Sequence, residues 1–487
     1  MLHICTAFSA ANCIEDTMTL YQNIAATLSD HIEQGTYRPG QRLPGVRALS
    51  QQFGVSVSTV VQAQRALENA GVLEARPRSG YYVRPQVWQR SELPEASRPL
   101  QQPMPVTGQE LSLHLANAVN QPGMIRLGAA VPHNDFLPVR AVQRSLSKVA
   151  RNQSAQATHY AFPPGLPQLQ QHIARRMALA GSRVNADEII ITNGGHEALT
   201  LALRAVAQPG DVIALESPTF YGLLQVIESM GLKALEIPTD PQTGISLPAL
   251  EMALEQWPIK ACVLIPNFHN PLGFVMDDAH KRRLAALANK HQLVLIEDDV
   301  YGDLGHNGER PGCLQGLNPG QVIHCTSFSK TVSPGLRLGW MLVPDRFRQQ
   351  VEYHKYVTNL ATNSISQLVM ADYLEHGHHD RYLRQTRDRY AVQVSLFARA
   401  IRKYFPEGTR VSQPQGSFVL WVELAPTLDA LTLTHRLLEH KISIAPGRLF
   451  SANQKYHNCI RLNCAQPWST AVEKALMTIG RLCGNMG

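Results

Sequence analysis

The 487-residue chain is poor in cysteine, with eight in all, and no two of them form a CxxC pair. So few thiols argue against a disulfide framework, and the missing pairs argue against a thiolate zinc site, so no metal is expected. A reduced, cytoplasmic setting is the expectation. No apolar stretch approaches the ~20 residues that a membrane-spanning helix requires. Charged residues are only 17% of the chain against 44% hydrophobic, which excludes global disorder and allows a large core. Residues 1–17 contain no Lys or Arg and only a weak apolar patch, so they do not read as a signal peptide. They are expected to be a frayed extension, or to precede a start at Met18.

Lysine is also missing from residues 18–90, yet eight Arg against four acids leave that stretch at +4 of the chain's total +7. A small basic module ahead of a nearly balanced body points to a polyanion partner. Within it, Leu20, Ile24, Leu28 and Ile32 share one helical face. Gly35 through Gly40 break that helix, and Pro44 opens a second through Val46, Leu49 and Phe53. Gly54 stops it, and Ser56 caps a third helix over about 58–70. Two short alternating runs, 72–76 and 80–83, flank a turn at Pro77-Arg78-Ser79. Three helices and a hairpin make a winged helix-turn-helix, a fold that lays its third helix in the DNA major groove. Ser56, Ser58 and Thr59 could approach phosphates or base edges. Arg47 and Arg65 flank that approach, and Arg76 and Arg78 stand where a wing tip would reach a groove. A winged helix that binds protein is the competing reading.

The string Gly40-Gln41-Arg42-Leu43-Pro44-Gly45-Val46-Arg47-Ala48-Leu49-Ser50, then Gly54-Val55-Ser56 and Leu67-Glu68-Asn69-Ala70-Gly71, resembles the GntR family of regulators over about residues 19–84. The resemblance implies phosphate contacts from Arg47 and base or phosphate contacts from the start of the third helix. Relatives often carry Arg at the positions of Val57 and Val61. Here base reading would lean on Ser56, Ser58, Thr59 and Gln62. Residues 86–120 carry Pro85, Pro94, Pro99, Pro103 and Pro105 in or beside them, with no hydrophobic period. They read as an extended, semi-rigid linker that lets the 18–85 module move.

From residue 121 onward, β-rich runs at 188–192, 212–215, 233–236, 261–265, 293–297 and 322–326 alternate with helical stretches at 196–207, 219–230, 248–256 and 278–290. That order predicts an α/β fold on a largely parallel sheet, with ligands bound beyond the carboxyl ends of its strands. The loops there carry Gly194-Gly195-His196 at a helix start, Asn270, Asp298, Tyr301, and Ser327-Phe328-Ser329-Lys330 followed by Arg337. A phosphate would meet Gly194, Gly195, Ser327, Ser329 and Arg337. A carboxylate would keep a ring nitrogen protonated, and a lysine would form a Schiff base. These are the needs of pyridoxal 5'-phosphate. The run His376, His378, His379, Asp380 reads as a solvated loop rather than a metal cluster.

The strings Asn270-Pro271-Leu272-Gly273, Glu297-Asp298-Asp299-Val300-Tyr301 and Ser327 through Gly339 resemble the fold-type I aminotransferases. The resemblance implies that Lys330 is the imine lysine and that Asp298 pairs with the pyridine nitrogen. It gives the ring hydroxyl to Asn270 and Tyr301 and the ring face to Phe220, with Tyr221 as a second ring at that place. It assigns a substrate carboxylate to Arg461, a backbone N–H role to His196, and the neighbouring subunit's phosphate site to Tyr160. It also implies a large part over about 125–345 and a small C-terminal α/β part over about 375–487.

The combination resembles the MocR subfamily. It implies a homodimeric regulator, head-to-tail in many relatives, that binds double-stranded DNA and responds to a small amino compound or to the cofactor by exchange at Lys330. A true aminotransferase carrying a DNA-binding module, and a DNA-binding protein with an inert body, are the alternatives.

Overall fold

The computed structural model describes residues 20–33, 36–37, 40–69, 72–76, 79–83, 92–98, 102–108 and 122–486. The readings for residues 1–17 and for Arg78 fall outside that range. The chain divides into two compact units, residues 1–90 and 91–487.

In the first unit, helices α1 (Leu20–Glu33), α2 (Val46–Phe53) and α3 (Val57–Asn69) precede a hairpin of β1 (Leu73–Arg76) and β2 (Gly80–Val83). The four-residue period of α1 buries Ile24 and Leu28 against Leu49, Val60, Ala63 and Leu67, with Leu73 and Val83 closing the core. Gly54 takes φ 65° to end α2, and its N–H bonds the Ser50 carbonyl. A left-handed residue there turns the chain tightly into α3 without Cβ strain.

In the second unit, the main sheet runs in the order Met104–Pro105, Lys233–Asp240, Val212–Ser217, Ile259–Leu264, Val294–Asp298, Val322–Ser327, Gly339–Leu342, Ile190–Thr192. The pairs formed among 233–240, 212–217, 259–264, 294–298 and 322–327 are parallel, while Gly339–Leu342 is antiparallel to both neighbours. Alternate residues bury on opposite faces. Ile213, Val263 and Ile296 pack under the helix Gly195–Val206, and Ala214, Cys262 and Leu295 under Leu247–Gln256 and Asp278–His291. Residues that alternate this way and stay buried on both faces are what helices on both sides of a sheet demand.

The C-terminal part has a four-stranded antiparallel sheet of Arg410–Val411, Val419–Glu423, Cys459–Asn463 and Ala445–Pro446. Helices His379–Tyr404, Ala430–Glu439 and Thr470–Gly484 contribute to the core beneath it. The strand Ile125–Arg126 pairs with Ile442–Ser443 of this part, whereas the resemblance to aminotransferases implied a large part beginning at about residue 125. The Pro-rich segment is likewise less free than its composition implies. Pro94, Ser97 and Val106 are buried, and Met104–Pro105 extends the main sheet. Among the described residues, no helix is long and apolar enough to cross a membrane.

Candidate cofactor site and candidate nucleic-acid interface

The carboxyl ends of strands 294–298 and 322–327 bring Asp298 and Lys330 together. Asp298 is buried, and its one hydrogen bond among the described residues comes from the Val300 N–H at 3.3 Å. Desolvation, opposed by that N–H, pushes its carboxyl up to about 7. Lys330 donates to the Ala130 carbonyl at 2.6 Å. Burial, with Arg461 nearby, lowers its amine to about 8 even though Asp298 opposes the shift. A larger share of Lys330 is therefore uncharged near neutrality than of an ordinary lysine, and the uncharged amine is the nucleophile.

Opposite these groups lies a cup. Gly194, at φ 88°, precedes the helix Gly195–Val206. A Cβ on Gly194 would lie 2.6 Å from Arg337 Nη2, and one on Gly195 would lie 3.7 Å from Ser327 Cβ. Arg337 donates to the Asn193 carbonyl at 3.0 Å, and the Ser329 N–H donates to Ser327 Oγ at 3.3 Å. Helix-start N–H groups, the Ser327 hydroxyl and the Arg337 guanidinium thus lie near one another, a set that could hold a phosphate. Burial, then Arg337, lowers the His196 pKa. A neutral His196 leaves the backbone as the anion-binding element.

Arg461 is fully buried on strand 459–463. It donates to Asn270 Oδ1 at 3.2 Å and to the Gly128 carbonyl, and its Nε has no partner among the described residues. Its guanidinium carbon lies 5.3 Å from the Phe450 ring centroid and 5.8 Å from that of Tyr221. A buried guanidinium paired to no carboxylate among the described residues is costly unless a ligand brings the anion. Tyr301 is buried, and its hydroxyl pKa is raised by burial, with Arg461 and Asp298 acting on it. Phe220 caps the helix Tyr221–Ser229, and Gly222 is small because a Cβ there would stand 2.5 Å from the Phe220 ring. Tyr221 faces Arg461 and Phe450 instead.

Some supporting groups were not apparent from the sequence. Gly128 and Ala130 supply carbonyls to Arg461 and Lys330, and they lie far from both in the chain. Asp299 accepts from Asn267 at 2.9 Å and from Arg310, beneath the loop that carries Asp298. His379 is no solvated loop residue. It is buried at the start of the helix His379–Tyr404, shares a hydrogen bond with Tyr373 at 3.1 Å, and has its pKa lowered to about 3 by burial. Tyr160 is not brought to this cup. It is 70% exposed, with the Phe162 ring 5.5 Å away.

In the first unit, Ser56 Oγ bonds Ser58 Oγ at 2.8 Å and Thr59 Oγ1 at 2.7 Å at the start of α3. Ser56, Val57, Ser58, Gln62 and Arg65 are exposed along that helix, as is Arg47 on α2. Arg76 is exposed but bonded to Glu74 at 2.9 Å and stacked 4.3 Å from the Tyr82 ring centroid. Arg42 is a basic residue the sequence reading passed over. It bridges to Tyr82, and a Cβ on Gly80 would lie 3.4 Å from its guanidinium, so it stands beside the hairpin.

Residues 122–479 match the family of aminotransferase class I and II, and residues 20–83 match the bacterial regulatory proteins of the gntR family. The chain is 42% identical over 464 residues to the uncharacterized HTH-type transcriptional regulator YjiR of Escherichia coli K12, covering 95% of this chain and 98% of that one. Its fold is similar to that of Pyrococcus horikoshii kynurenine aminotransferase, with a TM-score of 0.71 and 26% identity over 78% of this chain and 94% of that one. It is also similar to LysN, the alpha-aminoadipate aminotransferase of Thermus thermophilus, solved with N-(5'-phosphopyridoxyl)-L-leucine. There the TM-score is 0.71 and the identity 25%, over 78% and 99% of the two chains. A gntR-type module ahead of an aminotransferase-like body defines the MocR group of regulators, and this chain belongs to it.

Proposed function

We propose that the chain is a pyridoxal phosphate-binding transcription regulator whose DNA affinity is set at Lys330, by an amino compound or by the cofactor itself. The observation that carries this reading is a buried, unsatisfied set of charges in the body of a chain that also holds a DNA-reading module. Among the described residues, Asp298 has no cation bonded to it and Arg461 no anion.

The residues fit the cofactor. The N–H groups at Gly194, Gly195 and His196, with Ser327, Ser329 and Arg337, would hold its phosphate. Asp298 would hold the ring nitrogen's proton, Asn270 and Tyr301 the ring hydroxyl, and Phe220 the ring face. When bound, pyridoxal phosphate supplies an aldehyde carbon for which amines compete reversibly, together with an electron-withdrawing ring. Lys330 is then the internal competitor, and Arg461 recognises a carboxylate on the incoming amine. That amine shifts DNA affinity only if the two body conformations bind it unequally.

A gntR-type helix-turn-helix binds DNA, and aminotransferase-like bodies are typically dimers. In our reading two chains pair head-to-tail and offer two α3 helices to paired half-sites. Tyr160, Phe162 and Tyr356, with successive ring centroids 5.5 and 6.4 Å apart, form an exposed aromatic patch that supports such pairing. Tyr160 would serve the partner's phosphate site. Arg47, Ser56, Ser58, Thr59, Gln62, Arg65 and Arg76 would meet DNA, with Arg42 beside the hairpin.

The test is fluorescence anisotropy of the full chain on DNA from its own promoter region, with and without pyridoxal phosphate and a panel of amino acids. A change in affinity that disappears in Lys330→Ala is expected. Affinity indifferent to every one of these additions would refute the reading. Arg461 also favours a second one, an amino acid:2-oxo acid aminotransferase. Its test is the absorbance change of a half-reaction with each amino acid, and a spectrum unmoved by any of them rules it out.

A further inference from the structure

Residues 92–98 form a strap across the body. At one end Glu92 and Glu95 bind Arg410 at 3.2 and 2.7 Å, the Val411 N–H donates to the Glu92 carbonyl at 3.2 Å, and the Glu95 N–H donates to Glu423 at 3.1 Å. These partners lie on the C-terminal four-stranded sheet. At the other end Ser97 is buried at the edge of the main sheet. Its N–H donates to the Thr239 carbonyl at 3.1 Å, and its Oγ accepts from the Thr239 N–H at 2.7 Å. The strap therefore joins the two parts of the body that together frame the cofactor site.

Two hydrogen-bonded paths lead from Ser97 to Ser217. Through the first, Thr239 Oγ1 accepts from the Ser217 N–H at 3.0 Å. Through the second, the Tyr456 hydroxyl bonds Ser217 Oγ at 2.7 Å and interacts with the Ser97 side chain. Ser217 in turn donates to Glu236 at 3.0 Å, and Glu236 is held by Ser451 and the Ala452 N–H. Ser217 opens the segment Pro218-Thr219-Phe220, whose Thr219 N–H donates to the Phe450 carbonyl at 2.9 Å. Tyr456 adopts φ 58°, a left-handed conformation that a bulky residue rarely takes. Such strain persists where surrounding bonds over-determine the residue, and here they aim its hydroxyl between strap and strand.

We propose that Ser97 and Tyr456 are positioning residues that fix the Pro218–Phe220 segment, so that docking of the strap and binding of pyridoxal phosphate favour each other. This inference rests on the cofactor reading above. It gives the residues leading out of the DNA-reading module a defined link to the ring-stacking segment. By linkage, the factor by which strap docking tightens the cofactor equals the factor by which the cofactor tightens strap docking.

The test uses the full-length chain with two readouts. One is pyridoxal phosphate affinity by absorbance titration. The other is the rate of Glu-C endoproteinase cleavage after Glu95, which is exposed on the strap and followed by Ala96. Ser97→Ala and Tyr456→Phe are expected to weaken cofactor binding about tenfold, with Ser97→Thr within about twofold of wild type. Saturating cofactor should slow the Glu95 cut in wild type and in Ser97→Thr, and leave the rate unchanged in Ser97→Ala. Arg410→Ala, which loosens the strap from its far end, should weaken the cofactor in the same direction. If all variants bind the cofactor like wild type and the Glu95 cut ignores it, the relay is refuted while the cofactor reading stands. If wild type itself stays colourless and is not trapped by borohydride, the cofactor reading falls and the relay falls with it.

Discussion

In our reading two helix starts in this molecule meet anions, and they are built differently. The start of α3 is exposed, and Ser56, Ser58 and Thr59 bond one another there rather than closing a pocket. The start of Gly195–Val206 lies beside the buried Ser327 and the exposed Arg337, and a side chain on Gly194 would displace the Arg337 guanidinium. An open start serves one phosphate among many along a polyanion, so its binding energy is spread and screened. A partly walled start, with buried serines beside an exposed guanidinium, suits a single dianion met by converging donors. The contrast explains how one chain can read a polymer and hold a small molecule with the same backbone feature.

The largest expected effect separates the two regions outright. Lys330→Ala should abolish borohydride trapping of pyridoxal phosphate and its visible absorbance. Affinity for DNA in the absence of ligand should stay within about twofold, since α3 lies in the other unit. A variant that kept its absorbance would break the assignment of Lys330. Salt comes next. Raising it from 50 to 200 mM should cost the reader on the order of 10³-fold in DNA affinity, with Arg47→Ala flattening the slope by about one. Cofactor affinity should fall by less than about tenfold, because a single dianion there would meet exposed Arg337 and buried Ser327 and Ser329, and buried contacts are screened less. Equal salt slopes at both sites would erase the distinction. Arg337→Ala should then weaken the cofactor by roughly 10–100-fold, the worth of a charge-assisted bond to phosphate, as read by titration.

What could be read from sequence follows the same divide between local and distant causes. The α1 stripe and the Gly54 stop were legible because periodicity and a left-handed turn are local properties. So were the parallel strands, and the loops carrying Asn270, Asp298 and Lys330, since fold-type I strings cluster at strand ends. The antiparallel strand Gly339–Leu342 follows Arg337 closely and carries no alternation, as both its faces are buried. It shows itself only through pairing with 190–192 and 322–327. The strap was read as spacer because Pro and Glu dominate it. Nothing local in Ser97 announces that Thr239 and Tyr456 lie against it. The carbonyls of Gly128 and Ala130 were equally silent, since backbone acceptors leave no trace in residue type.

The smallest effect sharpens the comparison from inside the cup, where desolvation that an open helix start never meets acts on Asp298. Its raised pKa means that the folded state holds a proton more tightly than the unfolded chain does. Stability contributed by that group therefore falls as pH climbs from about 4, the usual carboxylate value, to about 7, and stays low above. Asp298→Asn removes the buried charge and keeps the shape. Without cofactor, it should raise the melting temperature at pH 8 by ~2 °C and leave it unchanged at pH 4. With pyridoxal phosphate present the sign should reverse, because the wild-type carboxylate then has a protonated ring nitrogen to face and the amide does not. Scanning calorimetry at the two pH values, with and without cofactor, measures all four numbers. If the wild type is the more stable protein at pH 8 in the absence of cofactor, Asp298 already has a partner within the fold, and its carboxylate is not held in reserve for a ligand.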